Sequence, residues 1–310
     1  MWGLVFVAPQ MLPDYPAVQL MAGRYLAFGL VALPLAWLDR RALRELALSD
    51  WWAALKLSAV GNFLYYLCLA AAIQRAGGPL PTLIIGTLPV LIALVSNHRN
   101  RDRDGRLPWA RLLMPLGLIG AGLVCVNQAE LQALAGQPAH RLSAYVQGGL
   151  LAVGALACWT WYPIRNADWL REHPDRSPRA WATAQGLVTL PLSLLVLLGL
   201  ALLQRSGQIE VELPLGPRPW PYVALMLAIG LLASWAGTLC WNEASQRLPT
   251  TLVGQLIVFE TLSALAYAYL WRQQWPAALT LLGIALLVIG VLGALRVRPQ
   301  RAARAAPELA

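Results

Sequence analysis

The sequence contains nine apolar runs that are each long enough to cross a lipid bilayer as a helix. About 20 apolar residues are needed to span about 30 Å of hydrocarbon. The runs cover residues 17–38, 53–74, 79–97, 109–128, 144–165, 180–203, 220–246, 250–271 and 276–295. Because a lipid-exposed backbone must satisfy its own hydrogen bonds, such runs predict an all-α membrane protein. Composition agrees, since only 13% of the 310 residues are charged, against about 25% in soluble domains.

The first residues form a shorter apolar stretch. Residues 1–12 would extend only about 18 Å as a helix, and they contain Pro9 and precede Pro13-Asp14. Two interpretations stay open: a half-span, or a first span that begins upstream of Met1. A cleaved signal peptide fits poorly, because no basic residue precedes the apolar stretch.

The distribution of arginine predicts how the chain is oriented. With a cytoplasmic N-terminus and ten spans, the predicted inner loops hold sixteen arginines and the outer loops hold five. This bias follows the positive-inside rule. It requires an even number of crossings, so residues 1–12 are expected to belong to a first span. We therefore predict a multi-pass protein of the bacterial inner membrane, with a basic cytoplasmic tail at residues 297–310.

Residue content excludes several function classes. The formal net charge is +9, but the basic residues lie in short clusters between apolar runs, so no nucleic-acid partner is expected. The only lysine, Lys56, follows no glycine-rich loop, which excludes ATP-driven transport by this chain alone. The four cysteines are isolated within apolar runs, which predicts neither a disulfide framework nor a metal site. No cofactor is expected.

An internal repeat relates the two halves of the chain. A shift of 172 residues lays Leu67-Cys68 on Leu239-Cys240 and Gln74-Arg75 on Gln246-Arg247. It pairs the third and fourth spans with the eighth and ninth, which gives a unit of five helices. Because five is odd, the second unit must be inverted in the membrane, an arrangement typical of transporters with a binding site between the halves. The two predicted repeats are residues 1–128 and 144–296, around a central cavity.

Several short motifs lie at characteristic positions in the spans. They are Trp2-Gly3-Leu4-Val5-Phe6, Arg24-Tyr25-Leu26, Gly86-Thr87-Leu88-Pro89, Phe259-Glu260-Thr261 and a glycine-rich last helix with Gly283 and Gly290. They resemble the WGxxF, RFL and LEP motifs and the final helix of the EamA family of the drug/metabolite transporter superfamily. The resemblance covers residues 2–296. It implies two five-helix halves around a central cavity and movement of small metabolites, commonly outward.

The chain departs from the family pattern at two points. Thr261 stands where the family usually has proline, which bears on whether the ninth helix breaks there. The family also usually has several residues before its WGxxF motif, which favours additional residues before Met1.

Polar and aromatic side chains within the predicted spans are candidates for a substrate cavity, because polar groups in lipid must face a partner or a cavity. Asn62 and Tyr66 are four residues apart and share a helix face. Their counterparts under the 172-residue shift are Ser234 and Thr238. The full set of candidates is Arg24, Asn62, Tyr65, Tyr66, Trp159, Trp161, Ser234, Thr238 and Glu260, with Pro89 as a hinge candidate.

These candidates also have structural interpretations. Glu260, near mid-membrane, could bind substrate or a proton, or could bridge helices as a protonated acid. Arg24 could bind a substrate carboxylate, snorkel outward or hold Asp14. The polar pairs could form interhelical hydrogen bonds instead of lining a cavity. Trp159 and Trp161 could form a wall for a planar, apolar or cationic group, or an interfacial belt.

Two further features predict packing. Glu243 precedes Arg247 by four residues, which predicts a local pair at the inner end of the eighth span. The fifth and tenth spans carry few polar residues and are expected at the periphery, packed through small residues. Those small residues include Gly117, Gly122, Gly283 and Gly290.

Together these features predict a secondary transporter that exports small polar organic metabolites, with amino acids as the leading class, by alternating access. The expected partners are the small-molecule substrate and the lipid bilayer; proton coupling and the choice between monomer and homodimer stay open. A membrane scaffold or assembly factor is one alternative, although it would not need paired polar stripes. An intramembrane enzyme is another, but the spans hold only two carboxylates, Glu243 and Glu260, and no mid-membrane histidine.

Overall fold

Helices make up nearly the whole protein in its computed structural model, which describes residues 1–99, 108–134, 139–247, 250–273 and 275–297. The first half contains α1 (Leu4–Met11), α2 (Ala17–Leu38), α3 (Arg40–Arg44), α4 (Leu48–Ser58), the π-helical segment π1 (Ala59–Leu64), α5 (Tyr65–Ala76), α6 (Pro79–Gly86), α7 (Leu88–Arg99) and α8 (Trp109–Leu134). The second half contains α9 (Ala139–Glu172), α10 (Pro178–Arg205), α11 (Pro219–Ala228), the π-helical segment π2 (Ile229–Ala236), α12 (Gly237–Arg247), α13 (Thr250–Arg272) and α14 (Ala278–Leu295). No strand occurs in these described ranges.

Five continuous helical stretches in the described part of the chain are long and apolar enough to cross a membrane. They are Ala17–Leu38, Leu48–Ala76, His140–Glu172, Pro178–Arg205 and Pro219–Arg247. Shorter apolar helices cover Pro79–Ile92, Ala110–Gly122 and Ala278–Ala294. Helix length alone therefore accounts for half of the ten predicted crossings.

The N-terminal helix α1 is short and enclosed by protein. Its eight residues extend about 12 Å, and Val5, Phe6, Val7, Ala8 and Pro9 are all buried. It packs against α5 and α13 rather than presenting an apolar surface to lipid. Because its neighbours cover it, α1 can be much shorter than a bilayer-spanning helix.

Two π-helical segments interrupt the third and eighth predicted spans. π1 contains Asn62 and π2 contains Ser234. The 172-residue shift maps residues 59–64 onto 231–236, which lie within π2. A π-turn widens the helix and is frequent at functional sites. The irregularity therefore occurs at matching positions of the two halves.

The fourth predicted span is divided into two helices. α6 ends at Gly86 and α7 begins at Leu88, while the Thr87 hydroxyl donates a hydrogen bond to the Ile84 carbonyl at 2.7 Å. Pro89, the hinge candidate, is the second residue of α7 and cannot donate a backbone hydrogen bond across this junction. The ninth span differs, because α13 continues without a break through Thr261.

Long helices pack in pairs that join the two halves. α2 lies along α10, α7 contacts α13, and α8 lies along α14. The main core takes buried side chains from both halves, among them those of α1, α2, α4, α5, α9, α10, α11 and α13. A second, smaller apolar cluster joins α6, α7, α8, α13 and α14.

The α8–α14 pair meets through some of the predicted glycines. A Cβ atom on Gly122 would lie 2.6 Å from the Gly283 carbonyl oxygen, and one on Gly290 would lie 2.8 Å from the Pro115 carbonyl oxygen. Gly117 differs from the prediction, because a Cβ atom there would meet nothing within 4 Å. Gly117 faces away from the helix contact, so its small size is not needed for packing.

Ion pairs connect loops at each end of the molecule. At one end Arg176 Nη1 lies 2.6 Å from Glu45 Oε2, and Arg179 Nη2 lies 2.8 Å from Asp39 Oδ1. At the other end Arg218 Nη2 lies 2.8 Å from Asp14 Oδ2. Each pair joins loops that the arginine distribution predicts to lie on the same side of the membrane.

Candidate functional site

A small enclosed cavity lies where α1, α2, π1, α5, α9, π2, α12 and α13 meet. Its volume of about 10 Å³ is close to the least space that holds one water molecule. Its walls are Trp2, Val5, Arg24, Asn62, Tyr65, Trp159, Ala233, Ser234, Thr238 and Glu260. Seven of the nine predicted candidates are among them, and Tyr66 and Trp161 are not.

Arg24 brings a buried positive charge to this cavity. It is 5% exposed, and its Nε donates a hydrogen bond to Ser234 Oγ at 3.0 Å. Its guanidinium carbon lies 4.5 Å from the centre of the Tyr66 ring and 5.0 Å from that of Tyr25, within range of cation–π attraction. Its Nη1 is buried without a hydrogen-bond partner.

Two structural interpretations of Arg24 are therefore wrong. A buried guanidinium does not snorkel to the membrane surface. Arg24 also does not hold Asp14, because the carboxylate of Asp14 pairs with Arg218. The reason is position: Asp14 lies in the loop before α2, beside the loop that leads to α11, whereas Arg24 is two turns further along α2 and faces Ser234.

Glu260 brings a carboxylate to the same cavity from α13. It is 6% exposed, and its Oε2 is buried without a hydrogen-bond partner. Glu260 also borders a second cavity of about 220 Å³. That cavity is lined by Met1, Trp2, Gly237, Cys240, Trp241, Ala244, Phe259, Glu260 and Ser263. The carboxylate thus separates the small enclosed space from a larger and more open one.

Several hydrogen-bond donors around Arg24 are also unpaired. Asn62 Nδ2, Trp159 Nε1 and the Tyr66 hydroxyl are buried without a partner, as is Arg24 Nη1. Buried polar atoms are nearly always paired in proteins, and leaving one unpaired costs about 1–3 kcal/mol. The cavity therefore brings unpaired donors of Arg24, Asn62 and Trp159 together with one carboxyl group, that of Glu260.

An aromatic stack forms one wall of the cavity. The Trp159 ring is stacked between Tyr65, at a centroid distance of 4.6 Å, and Tyr162, at 5.0 Å. Trp2 meets Trp159 edge to face at 5.7 Å and donates a hydrogen bond from Nε1 to the Ala233 carbonyl at 2.7 Å. Trp2 was not predicted as a site residue. The sequence feature that could have pointed to Trp2 is its position in the Trp2–Phe6 motif.

Comparisons with known proteins identify the family of the chain. A family model described as the EamA-like transporter family matches residues 1–125. Inner membrane protein YtfF of Escherichia coli (strain K12) is 53% identical to the chain over 301 residues, which cover 97% of this chain and 93% of that protein. The chain belongs to the EamA-like transporter family. It is therefore a membrane transporter of the drug/metabolite transporter superfamily, and its relative and its apolar helices support a multi-pass inner membrane protein.

The fold of this EamA-like transporter also resembles a solved crystal structure. The two chains are 19% identical and superpose with a TM-score of 0.64 over 94% of this chain and 92% of the other. At this identity the similarity concerns the fold. Members of the family are transporters rather than enzymes, which is consistent with the expectation that the chain is not an enzyme.

Tyr66 and Trp161 lie elsewhere in the EamA-like transporter. Tyr66 is fully buried behind Arg24, so it contacts the guanidinium instead of the cavity. Trp161 lines a separate groove between α7 and α9. Trp159 and Trp161 are two residues apart, about 200° around a helix, so only one of them can face the centre.

A buried polar cluster lies beside the cavity on its predicted inner side. The Tyr162 hydroxyl donates to Gln185 Oε1 at 2.7 Å, and Gln185 Nε2 donates to Asn166 Oδ1 at 3.1 Å. Asn166 Nδ2 then donates to Asn242 Oδ1 at 2.8 Å. This cluster joins α9, α10 and α12, and none of its residues is among the predicted site residues. Its direct bonds hold the three helices together.

Glu243 and Arg247 form the local pair that their spacing predicts. Arg247 Nη2 lies 2.6 Å from Glu243 Oε2, one helical turn away. Among the residues that the structure describes, no group of three or more histidine, cysteine or acidic side chains could hold a metal ion. Because Glu243 is paired with Arg247, Glu260 is the acidic residue of the predicted spans whose carboxyl group has an unpaired atom.

Proposed function

We propose that this EamA-like transporter exports small zwitterionic metabolites, with amino acids as the leading class. The observation that carries this proposal is that a basic and an acidic side chain, Arg24 and Glu260, are buried at one cavity, and that one polar atom of each, Nη1 and Oε2, has no hydrogen-bond partner. The planar fork of a guanidinium matches a carboxylate, and the Glu260 carboxylate would accept a substrate ammonium group. The outward direction comes from the family resemblance.

The proposed architecture is ten transmembrane helices in two inverted repeats, residues 1–128 and 144–296. Two observations support it. The helix pairs α2–α10, α7–α13 and α8–α14 each join equivalent spans of the two halves, as helices that lie near a two-fold axis between the halves do. π1 and π2 also fall at repeat-related positions, and both contribute a polar side chain to the central cavity.

The proposed mechanism is alternating access. The central cavity is too small for an amino acid, so substrate can enter only if the surrounding helices move apart. The polar cluster around Asn166 holds α9, α10 and α12 together on the predicted inner side. On the other side, the Tyr15 hydroxyl donates to the Leu215 carbonyl at 2.8 Å and the Tyr15 ring stacks on Tyr222. Opening one of these two closures at a time would expose the cavity to one side of the membrane.

Flux of an amino acid and of its amide into proteoliposomes tests the role of Arg24. The amide keeps the ammonium group and side chain but lacks the carboxylate. We expect the wild-type protein to favour the amino acid by at least about tenfold, since hydrogen bonds to charged groups contribute about 1.5–3 kcal/mol. Arg24→Gln should abolish this preference.

Arg75→Gln is the matched control, because Arg75 is exposed and its Nη1 donates to the Ala71 carbonyl of its own helix. It should keep the preference. Equal wild-type flux of acid and amide, or an unchanged preference in Arg24→Gln, would contradict the proposal. If no member of an amino-acid panel is moved at all, a scaffold without a transport cycle becomes the better interpretation.

A further inference from the structure

A groove runs between α7 and α9, outside the central cavity. It has a volume of about 520 Å³ and shares no residue with the central cavity. Its walls are Leu91, Val95 and Arg99 from α7, and Val153, Leu156, Ala157, Thr160, Trp161, Ile164 and Arg165 from α9. The α7 residues recur every four positions and the α9 residues every three or four, so each helix presents a single face to the groove.

The groove faces the surroundings of the molecule. Val95 is 39% exposed and Val153 is 52% exposed. In a transporter embedded in a bilayer, exposed valines on two membrane helices are in contact with lipid. An occupant of the groove must therefore reach it through the bilayer.

The two helices run in the same direction, so the groove has one apolar end and one basic end. On the side of their N-terminal ends, Leu80 of α6, the helix that precedes α7, lies in one apolar cluster with Tyr145 of α9. At the C-terminal ends of α7 and α9, Arg99 Nη1 lies 2.6 Å from Asp168 Oδ2. Arg99 and Arg165 consequently lie at the same end, after the apolar residues of each helix.

Among the described residues that line or border it, the basic end carries a net positive charge. Asp168 neutralises part of the charge of Arg99, whose side chain is still 38% exposed. Arg165 is exposed as well. Both arginines lie at the predicted cytoplasmic surface, where the leaflet of the membrane is anionic.

We propose that this groove binds an anionic phospholipid of the inner leaflet. An acyl chain lies along α7 and α9, and the phosphate is bound by Arg99 and Arg165. The dimensions fit: Leu91 to Arg99 spans about 12 Å and Val153 to Arg165 about 18 Å along their helices, against about 15 Å for half of the hydrocarbon core. Trp161 lies beside the basic end, at the depth where tryptophan is enriched near headgroups.

Native mass spectrometry of the purified protein, titrated with dioleoylphosphatidylglycerol in detergent, tests the proposal. We expect the wild-type protein to bind this lipid more tightly than phosphatidylcholine with the same chains. Arg165→Gln should weaken phosphatidylglycerol binding by about fivefold, the effect of one basic residue beside an anionic headgroup. Ala157→Trp keeps every charge but fills the exposed groove, and it should also weaken binding of this lipid.

Arg41→Gln is the matched control, because Arg41 is an exposed arginine on the same predicted side and lies outside the groove. It should bind phosphatidylglycerol as the wild type does. Equal binding of the two lipids, unchanged binding in both Arg165→Gln and Ala157→Trp, or an equal loss in Arg41→Gln would overturn the proposal. Competition with glycerol 3-phosphate distinguishes the lipid from a free phosphate compound. If glycerol 3-phosphate displaces phosphatidylglycerol at equal concentration, the site recognises the phosphate group alone and the lipid proposal is wrong.

Discussion

Glu260 and Arg24 are an acidic and a basic side chain at one cavity that holds about one water molecule. Burying such groups with unsatisfied polar atoms is costly in a membrane, and folding alone would favour apolar residues at both positions. The Oε2 atom of Glu260 and the Nη1 atom of Arg24 are both unpaired in the closed cavity. We therefore propose that this arrangement serves transport rather than stability.

Glu260→Gln separates these two roles, because it keeps the shape and hydrogen-bonding capacity of the side chain and removes its titration. If Glu260 carries a proton or pairs with a cationic group, the variant should lower flux at least about tenfold and flatten its pH dependence. Thermal stability should change little, since a neutral amide is cheaper to bury than a charge. The measurement is proteoliposome flux against pH at equal protein incorporation.

Glu243→Gln is the control for this experiment, because Glu243 pairs with Arg247 at the end of α12. It should leave the pH profile unchanged. Superimposable profiles for the wild type and Glu260→Gln would show that Glu260 only bridges helices.

Some residues of the candidate site could be predicted from the sequence, because a polar side chain inside a membrane span carries a free-energy cost that calls for a partner or a cavity. Arg24, Asn62 and Glu260 are polar residues in apolar runs, and all three line the cavity. Trp2 could not be predicted in this way, because a tryptophan near the start of an apolar stretch is equally typical of an interfacial anchor. Its role depends on Gly237, where a Cβ atom would collide with the indole.

At the scale of helices, the α8–α14 pair depends on close approach of two backbones. A Cβ atom on Gly122 would lie 2.6 Å from the Gly283 carbonyl oxygen and 3.0 Å from the Leu287 nitrogen, and backbone atoms cannot turn aside. Gly117, on the same helix, has open space at the corresponding point. The same substitution at the two glycines therefore has opposite expected effects.

Gly122→Ala should lower the apparent thermal unfolding midpoint in detergent, because overpacking costs about 1–3 kcal/mol. Gly117→Ala should leave the midpoint unchanged or raise it, since alanine favours a helix by about 1 kcal/mol over glycine. If both variants shift the midpoint in the same direction and by the same amount, the close backbone approach of α8 and α14 at Gly122 is contradicted.

Apolar runs locate helices well and describe their interiors poorly. The run at residues 17–38 coincides with α2, but α9 extends well beyond its predicted run at residues 144–165 because its ends are polar. π1 and π2 could not be predicted, since the same apolar residues suit an α-helix or a π-helix. The break at Thr87 was indicated only by Pro89.

At the scale of the whole molecule, the loops are grouped as the arginine distribution predicts. Glu45 and Arg176 join two predicted inner loops, and Asp14 and Arg218 join two predicted outer ones. Helix packing brings the loops at each end of the molecule into contact, but these contacts do not show which end is cytoplasmic. The arginine count supplies the missing information, because translocating a basic loop is unfavourable.

A fusion at the C-terminus determines the orientation directly. The predicted tail, residues 297–310, lies outside the described residues except for Val297, which follows Arg296 at the end of α14. We expect a green fluorescent protein joined after Ala310 to be fluorescent and an alkaline phosphatase at the same point to be inactive, since each works on only one side of the membrane. Alkaline phosphatase inserted at Gly207, in the exposed turn after α10, should be active because that loop is predicted to be outer. Active phosphatase at Ala310 together with inactive phosphatase at Gly207 would invert the molecule, and would place Arg99 and Arg165 in the opposite leaflet from the one proposed for lipid binding.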